Sequence, residues 1–211
     1  MLSRRSWCGL LVAFSWLCSV EDARAETLYK FQVRVIERTS LPASRISPRQ
    51  EVRVLTASAA NHWCEALTGD EHVEQRSRTE MVTVERATAE LHVGQSGLFN
   101  IGYDGDRPVT RSLWYGRELR LTPTSQSDGQ VRLRIEFRSS ELVETLKTYI
   151  VTDDGKPPRA IELPNIVEQS LSTEVALPVE AAVVLTLVVD DENRPSQASE
   201  VLIQLKSVAN H

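Results

Sequence analysis

Beyond its first 25 residues the chain has no apolar run near the roughly 20 residues that a membrane-crossing helix needs. Only one of its three cysteines, Cys64, lies in that part. A lone cysteine excludes a disulfide framework there, and in a short apolar segment it reads as a small buried hydrophobe. Metal spacing is missing too. His62, His72, His92 and His211 have no i, i+4 partner and no Cys/His pattern around them. Catalytic constellations are equally scarce. Gly94-Gln95-Ser96-Gly97-Leu98 misses the nucleophile elbow, because Leu98 stands where a final glycine belongs. Glu141/Glu144 and Asp190/Asp191 are close only along the chain, which does not make an acid and a base. Asp104-Gly105-Asp106 and Asp153-Asp154-Gly155 lack the ligand pattern of a calcium loop and read as turns. We therefore expect no enzyme, no cofactor and no metal.

What is present begins with MLSRRSWCGLLVAFSWLCSVEDARA. Arg4 and Arg5 precede an apolar run, and Ala23-Arg24-Ala25 supplies a small-residue cleavage site. Residues 1–25 are expected to be a cleavable signal peptide and residues 26–211 one exported domain. Ser3-Arg4-Arg5 matches a twin-arginine signal only in part, and Cys18 lacks the small residues that precede a lipidation site. Removing the leader's three Arg, one Glu and one Asp leaves 21 basic and 27 acidic side chains, a net −6 against −5 for the whole chain. Such a mildly acidic chain is a poor partner for nucleic acid.

Alternation dominates the rest. Tyr29, Phe31, Val33 and Val35 alternate with polar neighbours, the period of a strand with one buried face. After a Pro- and Ser-bearing loop at 40–50, residues 51–55 alternate again. A short helix is expected at 58–67, capped by Ser58, with Ala59, Trp63 and Ala66 on one face and Gly69 past its end. Thr79, Met81 and Thr83, then residues 87–93, fit two strands, and the Gly- and Asp-rich stretch 94–112 reads as an extended loop. GRELRLTPTSQSDGQVRLRIEF, residues 116–137, reads as a hairpin: Leu119 and Leu121 lie on one face of the first run, Val131, Leu133, Ile135 and Phe137 on one face of the second, and Asp128-Gly129 turns the chain. Residues 146–151, 171–177, 183–189 and 201–208 give further strands, with a turn at 190–197. The fold class is mainly β with one short helix.

The order of these pieces resembles the C-terminal homology domain of bacterial secretins, the outer-membrane channel family of type II and type III secretion systems and type IV pili. Gly116, Leu119, Leu121 and Pro123, then Asp128 and Gly129, are similar to the family's G-x-x-L-x-V-x-P strand and its turn. Residues 31–38, ending near Glu37, resemble its opening strand; residues 87–94, ending at Gly94, its A-x-hydrophobic-x-V-G strand. Pro164 resembles the proline that leads through a threonine-bearing strand to an apolar one, and Ser199-Glu200-Val201-Leu202-Ile203 the terminal strand. The resemblance spans nearly all of residues 26–211 and implies an antiparallel β domain of long mixed hairpins.

Departures shape the functional expectation. Glu180-Ala181-Ala182 stands where the family places a turn glycine, residues 190–197 are short for its Pro- and Gly-rich lip, and N-terminal docking modules are not seen. Arg132, Arg134 and Glu136 on the wet face of residues 130–137 suit water or a channel lumen but not lipid. We expect an exported, envelope-associated protein of periplasm or outer membrane. It would act by binding or assembly, through protein partners or self-association at strand edges, with Trp114 and Tyr115 as interface candidates. Membrane association is left open, without a transmembrane helix. The alternative is an oligomeric outer-membrane channel for protein export, and a secreted β-sandwich hydrolase is the second alternative.

Overall fold

In β1 (Thr27–Arg38) the odd side chains Tyr29, Phe31, Val33 and Val35 are buried and the intervening ones are not, as the alternation requires. A bulge between Val35 and Ile36 then buries both. A computed structural model describes residues 27–38, 50–68, 72–151, 157–189 and 197–210. The leader, the loop at 40–49, Gly69, Asp153-Asp154-Gly155, Asp190, Asp191 and His211 lie outside these residues.

The remaining elements are β2 (Gln50–Leu55), α1 (Ala57–Thr68), β3 (Val73–Val84), β4 (Ala89–Asp104), β5 (Arg107–Ser127), β6 (Gln130–Ile150), β7 (Arg159–Pro178), β8 (Ala182–Val189) and β9 (Gln197–Asn210). They form two antiparallel sheets: sheet A in the order β2-β8-β9-β1-β3, and sheet B in the order β4-β5-β6-β7. Sheet B is built from strands of 16 to 21 residues, far longer than the usual five or six.

The sheets pack face to face through one core. Phe31 and Val33 of β1 and Val183, Leu185, Ile203 and Leu205 of β8 and β9 meet Leu119, Leu121, Val131, Leu133, Ile135 and Phe137 of sheet B. Helix α1 covers the other side of sheet A, where Ala60 joins Ala182, Val184 and Leu202, with Trp63 and Cys64 packed beside them. This explains the largely apolar sequence of β8, broken only by Thr186: Ala182 and Val184 face the helix while Val183, Leu185 and Leu187 face sheet B, so both faces are buried. Cys64 is half-buried against this second cluster, less enclosed than the buried hydrophobe expected from the sequence.

Three expectations need correction. The helix is capped by Thr56 rather than Ser58: the Ala59 N–H donates to Thr56 Oγ1 at 3.3 Å. Residues 94–112 are not a loop. β4 continues to Asp104 and β5 starts at Arg107, so only a tight turn remains, at Gly105-Asp106. Gly94, Gly97, Asn100 and Gly102, which suggested a loop, lie within β4 instead. Likewise the strands expected at 146–151 and 171–177 are not separate short ones: residues 146–150 belong to β6 and 171–177 to β7, which pair from Gln130↔Pro178 to Ile150↔Arg159.

Tyr29 is fully buried, and its hydroxyl meets no hydrogen-bond partner among the described residues. Burial, with a smaller contribution from Glu85, raises its pKa. The unfolded chain therefore ionises first, so this contribution to stability is complete below about pH 10 and is lost as pH rises further. Tyr29→Phe is expected to leave stability at pH 7 within about 1 kcal/mol and to flatten the loss above pH 10, measured by urea denaturation across pH. In the same assay Leu133→Ala is expected to cost about 2–5 kcal/mol, and Val82→Ala, on an exposed face, less than about 0.5.

Candidate functional site

β5 and β6 pair only from Gly116↔Ser140 to Ser127↔Gln130. Beyond that point each stays with its other neighbour, β5 with β4 and β6 with β7, so sheet B divides into two hairpin arms that leave the sandwich. The division is built from specific side chains. Gly116 pairs with Gly94 across β4 and β5 at a φ of 154°, and a Cβ on Gly116 would lie 2.4 Å from Gly94 Cα and from the Val93 carbonyl oxygen. No side chain fits there. The Gly116 N–H turns to Ser140 Oγ at 3.0 Å, which closes the last rung of the ladder.

One residue further on, Arg117 has the same parity as Leu119 and Leu121 and so points at sheet A, where only 7% of it remains exposed. Its guanidinium reaches Glu37 Oε1 at 2.9 Å, Ser199 Oγ at 2.7 Å and the Ser140 carbonyl at 3.3 Å. Ser139 Oγ lies 3.5 Å from Ser199 Oγ, and Glu200 pairs with Arg38 at 2.8 Å. A buried charge is tolerated only when paired and hydrogen-bonded in this way. Beside the joint lies a cleft of about 600 Å³ lined by Glu37, His72, Tyr115, Arg117 and Glu141.

The structure brings some of the sequence-derived residues together and separates others. Gly94 and Gly116 touch at the division. Leu119 and Leu121 are in the core, Pro123 is buried opposite Leu133, and Asp128 and Gly129, at φ 51° and 73°, make the two-residue hairpin turn between β5 and β6. Pro164 sits apart, on the β7 arm opposite Thr145. Trp114 is partly exposed and stacks edge-on against His92, with ring centres 6.0 Å apart, while Tyr115 faces the cleft.

The candidates weighed as chemistry fall elsewhere. Ser96 is exposed mid-strand opposite Trp114, not on a strand-to-helix turn. Glu144 lies past a bulge from Glu141. His62 is exposed on α1. Sequence reasoning named Glu37 and the Ser199-Glu200 motif but missed Arg117, Ser139 and Ser140. The missed signal was parity: a charged residue on the buried face of an alternating strand needs a partner inside.

Sheet B's outer face over the sandwich is charged. Arg120 bridges Glu90 and Glu118, at 3.1 and 2.9 Å, Arg134 meets Glu136 at 2.9 Å, Arg132 meets Glu174 at 3.3 Å, and Arg138 meets Glu168. Arg132, Arg134 and Glu136 therefore belong to the sandwich and not to the arms. The arms are different. Of the twelve exposed large hydrophobic side chains among the described residues, nine lie past the division, among them Leu98 at 68% exposure, Leu146 at 53% and Leu163 at 46%. No helix among the described residues is long and apolar enough to cross a membrane.

The model of the secretin family, described as bacterial type II and III secretion system protein, matches residues 66–200. The chain belongs to the secretin family. Among solved structures it is similar to the Vibrio cholerae type IV competence pilus secretin PilQ, with 10% identity, a TM-score of 0.41, and 90% of this chain and 62% of that one covered. It is also similar to the type II secretin GspD of enteropathogenic Escherichia coli, with 13% identity, a TM-score of 0.39, and coverage of 89% and 70%. For the secretin domain of InvG from the Salmonella SPI-1 injectisome the values are 12%, 0.36, 88% and 61%, so the chain spans about three fifths of that relative. No curated protein matches the chain.

The joint yields a direct expectation. Arg117→Ala takes away the guanidinium that Glu37 pairs with in a largely buried setting and should cost about 3–5 kcal/mol, whereas Glu37→Gln keeps a hydrogen-bond acceptor and should cost less. Gly116→Ala should cost about 1–3 kcal/mol through strain and overlap. Denaturant midpoints of the three variants check the order.

Proposed function

We propose that the chain acts by assembly, as a secretin-like component of a type II or type III protein secretion system exported to the cell envelope, its arms pairing through strand edges with further copies or with partner proteins. The observation that supports this most is the composition of the arms. They carry most of the exposed hydrophobic side chains of the described residues while standing clear of the core, and large apolar surfaces left in the open mark interaction sites. β4 and β7 are the outer strands of sheet B with one strand neighbour each, so their far edges suit strand addition. Trp114, at the foot of one arm, is the aromatic anchor in this reading.

A closed wall of arms, hence a channel, is the second reading, favoured by one pair. Leu146 faces Leu163 across β6 and β7, and Ile161 and Ile150 follow at alternate positions on the same face. β6 continues from Glu141 to Ile150 past the division, within the roughly 9 to 11 residues that a barrel strand uses.

The mass of the protein by light scattering, from soluble and detergent-extracted fractions, tests both. A small soluble oligomer supports assembly without a wall, and a large ring recovered only with detergent supports the wall. A strict monomer in both fractions at every concentration sinks the assembly reading. Activity screens with Ser96→Ala and Glu141→Ala as controls check the hydrolase alternative, for which no signal is expected.

A further inference from the structure

The two arms are not independent at their tips. Arg159, the first residue of β7, donates to the Gly105 carbonyl and to the Asp106 carboxylate in the β4–β5 turn, and its guanidinium stands 5.1 Å over the Tyr103 ring. Beside it, Asn100 Nδ2 donates to the Ala160 carbonyl at 2.9 Å, and the Tyr103 hydroxyl donates to the same oxygen at 3.2 Å. The Asn100 backbone N–H donates to Glu162 Oε2 at 3.2 Å.

These contacts cross between β4 and β7, the two outer strands of sheet B, which are not paired with each other in either sheet. All are polar. They engage one backbone donor of β4 and one backbone acceptor of β7 with side chains from the opposite arm. Ladder pairing does not join the tips, so the contacts can break without unravelling either hairpin. A side chain that occupies an edge group in this way keeps another strand from using it.

We propose that Arg159, Asp106, Tyr103, Asn100 and Glu162 form a clasp that holds the two arms closed on each other in the single chain and masks the edge groups at Asn100 and Ala160 until a second copy of this chain takes them over. The inference rests on the assembly reading above. The clasp is an autoinhibitory contact. Its charged members are partly exposed and individually weak, so it opens at modest cost, and assembly then trades side-chain caps for strand pairing. Because its strongest contact is ionic, salt loosens it.

The test uses the intact chain with Arg159→Gln and Asp106→Asn, separately and together, and reads two quantities. Amide hydrogen exchange at residues 100–103 and 159–162 reports the clasp, and light scattering over time reports self-association. Each single variant is expected to raise exchange at both tips about fivefold, to leave β1 and β9 unchanged, and to speed association by a similar factor. The double variant should add less than the sum of the two single ones, since both remove the Arg159–Asp106 ion pair. Raising salt should speed association of the wild type but not of the double variant. Unchanged exchange at the tips would overturn the clasp itself. Faster exchange without faster association would overturn its masking role. If neither wild type nor variants associate under any condition, the assembly reading fails along with the masking role, and the exchange data still decide whether the clasp exists.

Discussion

A single guanidinium sets the geometry of this protein. Arg117 sits where sheet B leaves the sandwich, and it binds β1 through Glu37, β9 through Ser199 and β6 through the Ser140 carbonyl. Apolar packing holds the sheets together but is indifferent to a small slide. Directional bonds to three strands are not. Their position fixes which rung of the β5–β6 ladder is the last, and so where the arms begin. The glycine pair beside it does the complementary task of letting two backbones approach where no Cβ fits.

Much of this was legible in the sequence, and the reason is the period of two. The buried faces of β1, β5 and β6 follow directly from alternation, and the Asp128-Gly129 turn from the left-handed backbone those residues accept. Family resemblance supplied the order of the pieces. What stayed illegible has a common cause. Glycine and asparagine within 94–112 are read locally as chain breakers, but in β4 Gly94 serves a close approach to the neighbouring strand and Asn100 serves a contact to β7, and neither partner can be known from local sequence. The same blindness hid the joint: Arg117 and Ser199 are 82 positions apart. Even the wet face of residues 130–137 was read correctly as wet. Its place over the sandwich could not be told in advance, because the length of β6 cannot be inferred from its first eight residues.

The molecule thus has two surfaces of opposite character on one sheet. Over the sandwich, alternating Arg and Glu hold the outer face in water, each pair worth little but the set discouraging stacking on another apolar face. On the arms this screen ends and apolar side chains take its place. In the assembly reading proposed above, this asymmetry would limit contact to the arms.

The order of sheet A carries a consequence for timing. β1 lies between β3 and β9, and its register with β9 runs from Thr27↔Asn210 to Arg38↔Ala198. The earliest described strand waits for the latest. Until residue 210 has been synthesised the centre of that sheet is missing, and the side chains of β1 have no core to enter from that side. Contacts this distant along the chain make for slow closure. A nascent chain of this design holds the β1 edge of that sheet open until β9 has emerged from the ribosome, while its neighbouring hairpins, β4–β5 and β6–β7, have both strands in hand much sooner.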